Sequence, residues 1–307
     1  MLAIGFYAGT SVATILWWMA LIGWPDSRAA FLGRDFGERW LWILMAPDLL
    51  SALAMSTLMV WLLARQSTLS SVLAWIHFGS QGYAWAISIG LAVLDPDAYW
   101  GVVAMTFSAG ASLAIAMRIQ GLDILWGAFR FQSADTASQR ANWARTLIQT
   151  AGMWTVFLFA IPLGFALVEQ ALLWDRSWLT ASWRLPVGIL MFTLGGSLGL
   201  WAGRTMTNLG DGTPLPSACA RKLVVAGPYR FIRNPMAMGG IVQGIAVGLA
   251  IGSPLVMVYG ILGGLWWEVL ARHLEEDYLR SEFGEPYSQY EQEVPCWRFR
   301  LGGKLKS

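Results

Sequence analysis

The stretch Gly227-Pro228-Tyr229-Arg230-Phe231-Ile232-Arg233-Asn234-Pro235 decides the fold of this chain. It is basic, is braced by prolines at two positions, and directly precedes a long apolar run from Met236 to Trp267. An acidic segment with Glu275-Glu276 follows that run. Because the run is interrupted by Gly252-Ser253-Pro254, we predict a membrane hairpin. The hairpin would bring the basic loop and the two carboxylates to the same membrane face, where they could hold a small charged ligand.

The composition predicts a polytopic membrane protein. Of the 307 residues, 56% are hydrophobic and 13% are charged, and the mean hydropathy is +0.51. A soluble domain carries about 25% charged residues. The 2 cysteines are far apart and no C-x-x-C motif accompanies the 2 histidines, so we expect no metal site. A net charge of +2 with basic residues scattered at membrane boundaries gives no reason to expect nucleic-acid binding.

We predict an all-α fold with about eight membrane-spanning helices and a C-terminal cytoplasmic helix. The predicted spans are residues 2–24, 40–63, 70–94, 99–119, 148–174, 185–204, 236–251 and 254–270. Most of the 21 Lys and Arg residues follow even-numbered spans, so the positive-inside rule places both termini in the cytoplasm. Arg far outnumbers Lys, which is typical of a GC-rich bacterial genome, and we therefore expect a bacterial cytoplasmic membrane.

The polar motifs divide the chain into three regions. Residues 1–119 form an apolar N-terminal region of four predicted helices whose role the sequence does not indicate. Residues 120–147 form a polar connector. Its front has helical apolar spacing at Leu122, Leu125, Trp126 and Phe129, which fits either an amphipathic helix on the membrane surface or a plain cytoplasmic loop. Residues 148–307 hold every dense polar motif.

The basic loop has the features of an anion site. Pro235 disfavours helix at the residue before it, so the next helix should begin at Pro235 with Asn234 at the N-cap. The amides of Met236 and Ala237 would then be free N-terminal donors, which together with Arg233 suit a carboxylate. The alternative is that Arg230 and Arg233 only contact lipid headgroups.

The acidic segment should present its two carboxylates differently. Neighbours on a helix point about 100° apart, so at most one of Glu275 and Glu276 would face a shared ligand squarely. The other can pair with Arg272, three or four residues earlier. The alternative is a solvated helix whose charges only pair with one another. Phe283-Gly284 is typical of a helix end, and Tyr287, Tyr290, Pro295 and Trp297 would pack the tail back against the membrane face.

Loop, hairpin and acidic helix together resemble the isoprenylcysteine carboxyl methyltransferase family and its relative phosphatidylethanolamine N-methyltransferase. The matching motifs, in the family's order and spacing, are Leu223-Val224, Gly227-Pro228-Tyr229, Arg233-Asn234-Pro235, Gly239, Glu275-Glu276, Leu279, Phe283-Gly284, Tyr287, Tyr290 and Val294-Pro295. The resemblance does not cover residues 1–147.

The resemblance implies S-adenosylmethionine as the methyl donor and a lipophilic acceptor, either a lipid or a small molecule, that arrives from the bilayer. The implied cofactor-binding residues are Arg221, Lys222, Leu223, Val224, Tyr229, Asn234, Pro235, Met236, Ala237 and Glu275, to which the charge pattern adds Arg233 and Glu276. An arginine before the Glu pair contacts substrate in the family, and Arg272 is its counterpart here. No residue is assigned a catalytic role.

Two departures from the family pattern bear on the acceptor. Asn234 stands at the family's His and Ala237 at its Tyr. Asn cannot titrate near neutral pH, which excludes a His base at this position. We therefore expect methyl transfer to an isoprenoid-like or other small carboxylate or thiol. Two alternatives are phospholipid amine N-methylation and a non-catalytic membrane protein that keeps the fold.

Overall fold

The architecture is all-helical, as the sequence predicts. The computed structural model describes residues 1–34, 38–121, 138–174, 181–213 and 219–300. No named strand occurs within these ranges, where the β pairing is a single isolated bridge between Thr213 and Cys219.

The described residues consist mostly of α-helices. The α-helices are α1 (Leu2–Gly23), α2 (Ser27–Leu32), α3 (Glu38–Asp48), α4 (Met55–Ala64), α5 (Leu69–Leu94), α6 (Tyr99–Gln120), α7 (Gln139–Met153), α8 (Ile161–Ala171), α9 (Arg184–Leu209), α10 (Pro235–Ile251), α11 (Pro254–Trp266), α12 (Arg272–Phe283) and α13 (Glu285–Glu293). π-Helical segments at Leu49–Ala54, Trp154–Ala160 and Trp267–Ala271 continue α3 into α4, α7 into α8 and α11 into α12.

Six of the eight predicted spans are long and apolar enough to cross a membrane. They lie at Leu2–Gly23, Trp40–Ala64, Pro96–Gln120, Gln139–Ala171, Arg184–Leu209 and Pro254–Phe283. Of the other two predicted spans, α10 is apolar but shorter, with 17 residues. α5 has 26 residues, and His77, Gln81 and several serines make it more polar. The chain is an integral membrane protein.

Two predicted helix boundaries were wrong. The fifth span starts nine residues early, at Gln139, because the Ser138 hydroxyl caps α7 by accepting from the amide of Ala141. α9 continues to Leu209. As expected of the acidic helix, α11 continues through its π-helical segment into α12, which ends at Phe283 before Gly284. The amphipathic stretch considered at residues 122–129 lies outside the described residues.

Backbone contacts divide the chain into two compact units. The first comprises residues 1–122 and 167–177, and the second residues 123–166 and 178–307. In the first unit, the buried His77 imidazole lies 3.1 Å from the hydroxyl of Ser56 and 3.3 Å from that of Ser112. These contacts give the buried imidazole hydrogen-bonding partners in an apolar environment. They do not indicate a function for the first unit.

In the second unit, a close helix crossing and a tight turn between helices position the loop and the acidic helix. α9 and α10 cross where a Cβ added at Gly239 would meet the carbonyl oxygen of Gly195 at 2.6 Å. The turn between α10 and α11 has Gly252 at a φ of 71°, and the Ser253 hydroxyl then accepts from the amide of Val256. The predicted hairpin is therefore present.

Candidate functional site

The loop Gly227–Pro235 begins with a tight turn that requires glycine. Gly227 starts a 3₁₀ turn, Gly227–Arg230, with a φ of 57°. A Cβ at this position would lie 2.6 Å from Oγ1 of Thr205. The turn buries Tyr229, whose carbonyl oxygen accepts a hydrogen bond from the Tyr290 hydroxyl at 2.8 Å. The loop is thereby fixed against α9 on one side and α13 on the other.

The end of the loop leaves the first turn of α10 uncapped. α10 begins at Pro235 with Asn234 at its N-cap position, as predicted, but the Asn234 side chain makes no cap hydrogen bond. Its amide instead donates to Sγ of Cys296 at 3.2 Å. The first-turn amides of Met236 and Ala237 have no partner within a helix. They are therefore positioned for an anionic group.

The segment after α13 holds the loop in place. The amide of Arg233 donates to the carbonyl of Pro295 at 3.1 Å, and the amide of Arg300 donates to the carbonyl of Phe231 at 2.8 Å. Together with the hydrogen bond that Asn234 donates to Cys296, these bonds connect residues 231–234 to residues 295–300. The C-terminal segment thus belongs to the framework of the site.

Glu276 is a buried, fully paired carboxylate. Its Oε1 lies 2.9 Å from Nη1 of Arg233 and 2.9 Å from Nε of Arg272, and its Oε2 lies 3.5 Å from Nη2 of Arg280. The contact with Arg272 is an aligned hydrogen bond, whereas Nη1 of Arg233 makes an ion pair without hydrogen-bond alignment. The predicted pairing of one carboxylate with Arg272 is therefore confirmed, and Glu276 is that carboxylate.

Glu275 has a different environment from its neighbour. Its Oε2 is buried and has no hydrogen-bond partner among the described residues. An unpaired buried carboxylate oxygen is unfavourable unless a cation or a donor completes it. Glu275 is therefore the carboxylate available to a positively charged ligand.

Two of the three arginines predicted to contact a ligand, Arg233 and Arg272, are held in ion pairs. Arg233 also lies 3.2 Å from Oε1 of Glu291, so it pairs with two carboxylates. Arg272 lies 2.6 Å from Oε1 of Glu268, and Oε2 of Glu268 accepts from Nε1 of Trp297. Both guanidinium groups therefore brace the site in this structure.

One cavity gathers most of the residues singled out from the sequence. Its lining includes Lys222, Leu223, Val224, Tyr229, Arg233, Asn234, Pro235, Met236, Ala237, Glu275 and Glu276. Arg221 and Arg272 are not among the lining residues. The loop and the acidic helix thus meet around a common space.

The cavity also has walls from residues that were not predicted as ligand contacts, although Leu279, Phe283, Tyr287 and Tyr290 belong to the family motifs. They come from Met206, Thr213, Cys219, Ala220, Trp267, Tyr278, Leu279, Phe283, Tyr287 and Tyr290. Nε1 of Trp267 is buried without a hydrogen-bond partner in the described structure. Nothing in the sequence distinguishes Trp267 among 19 tryptophans, but it begins a π-helical segment, and such segments are frequent at functional sites.

The protonation of the loop and tail follows from burial and from neighbouring charges. Burial raises the pKa of Tyr229, with Glu275 adding to the effect, so this phenol stays neutral. Burial also raises the pKa of the Cys296 thiol. For Arg233, burial disfavours the charged form, but Glu276, Tyr287, Cys296 and Glu291 together outweigh burial, and the pKa lies above its usual range. Arg233 therefore remains a cation within its ion pairs.

Fold and site together define a membrane protein whose polar cavity adjoins its apolar helices. Residues 183–286 match the family model described as phospholipid methyltransferase. This segment belongs to the membrane methyltransferase family that the loop and acidic motifs indicated. The match spans about a third of the chain and includes α9, the loop, the hairpin and α12. No curated protein and no solved structure matches the chain significantly.

Proposed function

We propose that this protein transfers a methyl group from S-adenosylmethionine to a lipophilic acceptor at the cytoplasmic membrane face. The observation that carries the proposal is the unpaired, buried Oε2 of Glu275 in the cavity that the family's motif residues line. A cationic ligand would complete that oxygen. The family match supports methyl transfer as the reaction.

The cavity residues fit the chemical groups of the proposed donor. When bound, S-adenosylmethionine supplies an electrophilic methyl group on a sulfonium. Glu275 would bind its ammonium group, and the first-turn amides of Met236 and Ala237 would bind its carboxylate. Tyr229 could add a cation–π contact of about 1 kcal/mol. Apolar walls such as Phe283 would exclude water.

In this proposal the protein acts by positioning and by excluding water. Holding the two reactants in line and away from water would supply most of the rate enhancement that methyl transfer needs. Glu276, Arg233 and Arg272 act through their ion pairs, which hold the loop against the acidic helix. No side chain is assigned a covalent or acid–base step.

Two acceptor classes are each supported by a specific observation. The family match is to phospholipid methyltransferases, which favours a phospholipid amine. The second class is a lipophilic carboxylate or thiol, for example an isoprenoid-like one. It is favoured by Asn234, which lines the cavity at the position where relatives carry His. Unlike His, the Asn234 side chain cannot remove a proton from an amine. An anionic acceptor needs no such base.

The experiment starts with donor binding to purified protein in lipid nanodiscs. We expect labelled S-adenosylmethionine to bind the wild type, and Glu275→Gln to weaken it at least tenfold, about 1.4 kcal/mol. Glu282→Gln is the matched control because Glu282 is exposed on the same helix. No binding, or equal binding by wild type and Glu275→Gln, would overturn the proposal.

Product analysis then separates the acceptor classes from a protein without activity. Protein and methyl-labelled donor are incubated with a total lipid extract, and the lipids are separated by mass. Label in N-methylated phosphatidylethanolamine identifies the amine acceptor, and label released by mild base identifies a carboxyl methyl ester. Donor binding without label in any lipid would support the non-catalytic alternative.

A further inference from the structure

Gln243 is a buried polar side chain that the proposed donor site does not use. It lies in α10 and is 2% exposed, and its Nε2 has no hydrogen-bond partner among the described residues. A primary amide in an apolar environment costs several kcal/mol unless it is hydrogen-bonded. An oxygen from outside the described residues is therefore expected beside it.

The Gln243 amide points at a row of glycines on α9. A Cβ added at Gly196 would lie 3.0 Å from Nε2 of Gln243. Gly199 and Gly203 follow on the same helix face, at three- and four-residue spacing. A Cβ at Gly203 would lie 4.0 Å from Cε of Met236, which lines the cavity. The row thus leads from the cavity wall to the unpaired amide.

Helix packing accounts for Gly196, whose added Cβ would crowd Nε2 of Gln243 at 3.0 Å, but not for every glycine in this row. Close packing does explain Gly195, whose added Cβ would meet the carbonyl oxygen of Gly239 at 2.8 Å. A Cβ at Gly199, however, would meet no atom within 4 Å. The absence of a side chain there leaves open space on this face of α9, between Gly203 near the cavity wall and Gly196 beside Gln243.

We propose that this glycine row seats the ester region of a diacyl phospholipid acceptor, with Nε2 of Gln243 donating to an acyl carbonyl oxygen. This inference rests on the proposed function and names its acceptor class. Met236 and Gln243 are two helical turns apart, about 10 Å, comparable with the reach of an extended phosphoethanolamine headgroup. An isoprenoid hydrocarbon chain carries no oxygen at that depth.

The test compares dioleoyl phosphatidylethanolamine with its diether analogue, which lacks the carbonyl oxygens. Retention of each lipid by detergent-purified protein is measured by native mass spectrometry. We expect the wild type to prefer the diacyl lipid about fivefold, which corresponds to one neutral hydrogen bond of ~1 kcal/mol. Gln243→Leu should abolish that preference and leave S-adenosylmethionine affinity unchanged.

Two further variants separate lipid binding from folding. Gly199→Ala adds a methyl group where no atom lies within 4 Å, so it should fold and yet lower diacyl lipid retention. Gly240→Ala is its control, because a Cβ at Gly240 also meets nothing and Gly240 is exposed. Equal retention of the two lipids by the wild type, or an unchanged preference in Gln243→Leu, overturns the inference. If the wild type does not bind S-adenosylmethionine at all, the proposed function is overturned instead.

Discussion

At the residue scale, adjacent carboxylates have opposite roles because a helix turns about 100° per residue. Glu276 points into three guanidinium groups. Glu275 keeps one oxygen buried and unpaired beside the cavity. The sequence predicts this division but not which glutamate takes which role, since that depends on the rotation of α12 about its axis. The π-helical segment Trp267–Ala271, which shifts that rotation, has no sequence signature.

This division predicts different effects on stability. Glu276→Gln should lower the free energy of unfolding by about 2 kcal/mol, because it removes the charge that the partly buried Arg233 and Arg272 face. Glu275→Gln removes an unpaired buried charge and should leave stability unchanged or raise it. Thermal unfolding in detergent without S-adenosylmethionine measures both, with Glu282→Gln as control. An equal fall in melting temperature for the two variants would contradict the division.

Asn234 illustrates what local sequence cannot specify. Pro235 fixes the start of α10, and Asn234 takes the N-cap position that the sequence predicts. The side chain nevertheless donates to Cys296, which is 62 residues away in sequence. The tail supplies a competing partner, so the cap bond is not made. Local rules give the backbone position, while the side-chain contact depends on tertiary structure.

At the element scale, the crossing of α9 and α10 determines where the loop emerges. The sequence predicts close helix packing at glycines, and Gly195 with Gly239 provides it. Helix ends marked by Pro235, Gly252 and Gly284 could be predicted because turn chemistry is local. The start of α7 could not be predicted from hydropathy, because its first residues are polar. Its signal is a serine cap.

Adjacent glycines on α10 give a matched test of that crossing. Gly239→Ala should destabilise the protein by about 1–3 kcal/mol, because its Cβ would meet the Gly195 carbonyl at 2.6 Å. Gly240→Ala should be neutral or slightly stabilising, since alanine favours helix and the site is open. The melting temperature of each variant in detergent is the measurement. Equal behaviour of the two variants would show that the backbones do not touch at Gly239.

At the scale of the whole molecule, the side of the membrane decides whether the cavity can meet a donor made in the cytoplasm. The positive-inside rule gives an inward-facing site, and an even number of spans gives termini on the same side. The side of the membrane that the cavity faces and the total number of spans are two independent predictions. The second half of the chain carries its own basic loops, so its predicted orientation does not depend on the number of spans before it.

Cysteine labelling of intact cells separates those two parts. In a background with Cys219→Ser and Cys296→Ala, single cysteines replace Asp26, Thr68 or Glu282, which are all exposed. We expect an impermeant maleimide to label the Asp26 position in intact cells. The Thr68 and Glu282 positions should react only after permeabilisation, because they lie on the predicted cytoplasmic side. Labelling at Glu282 from outside would place the cavity away from the donor and contradict the proposed site. Labelling at Thr68 from outside, with Glu282 protected, would instead correct the number of spans in the first half and leave the site inward-facing.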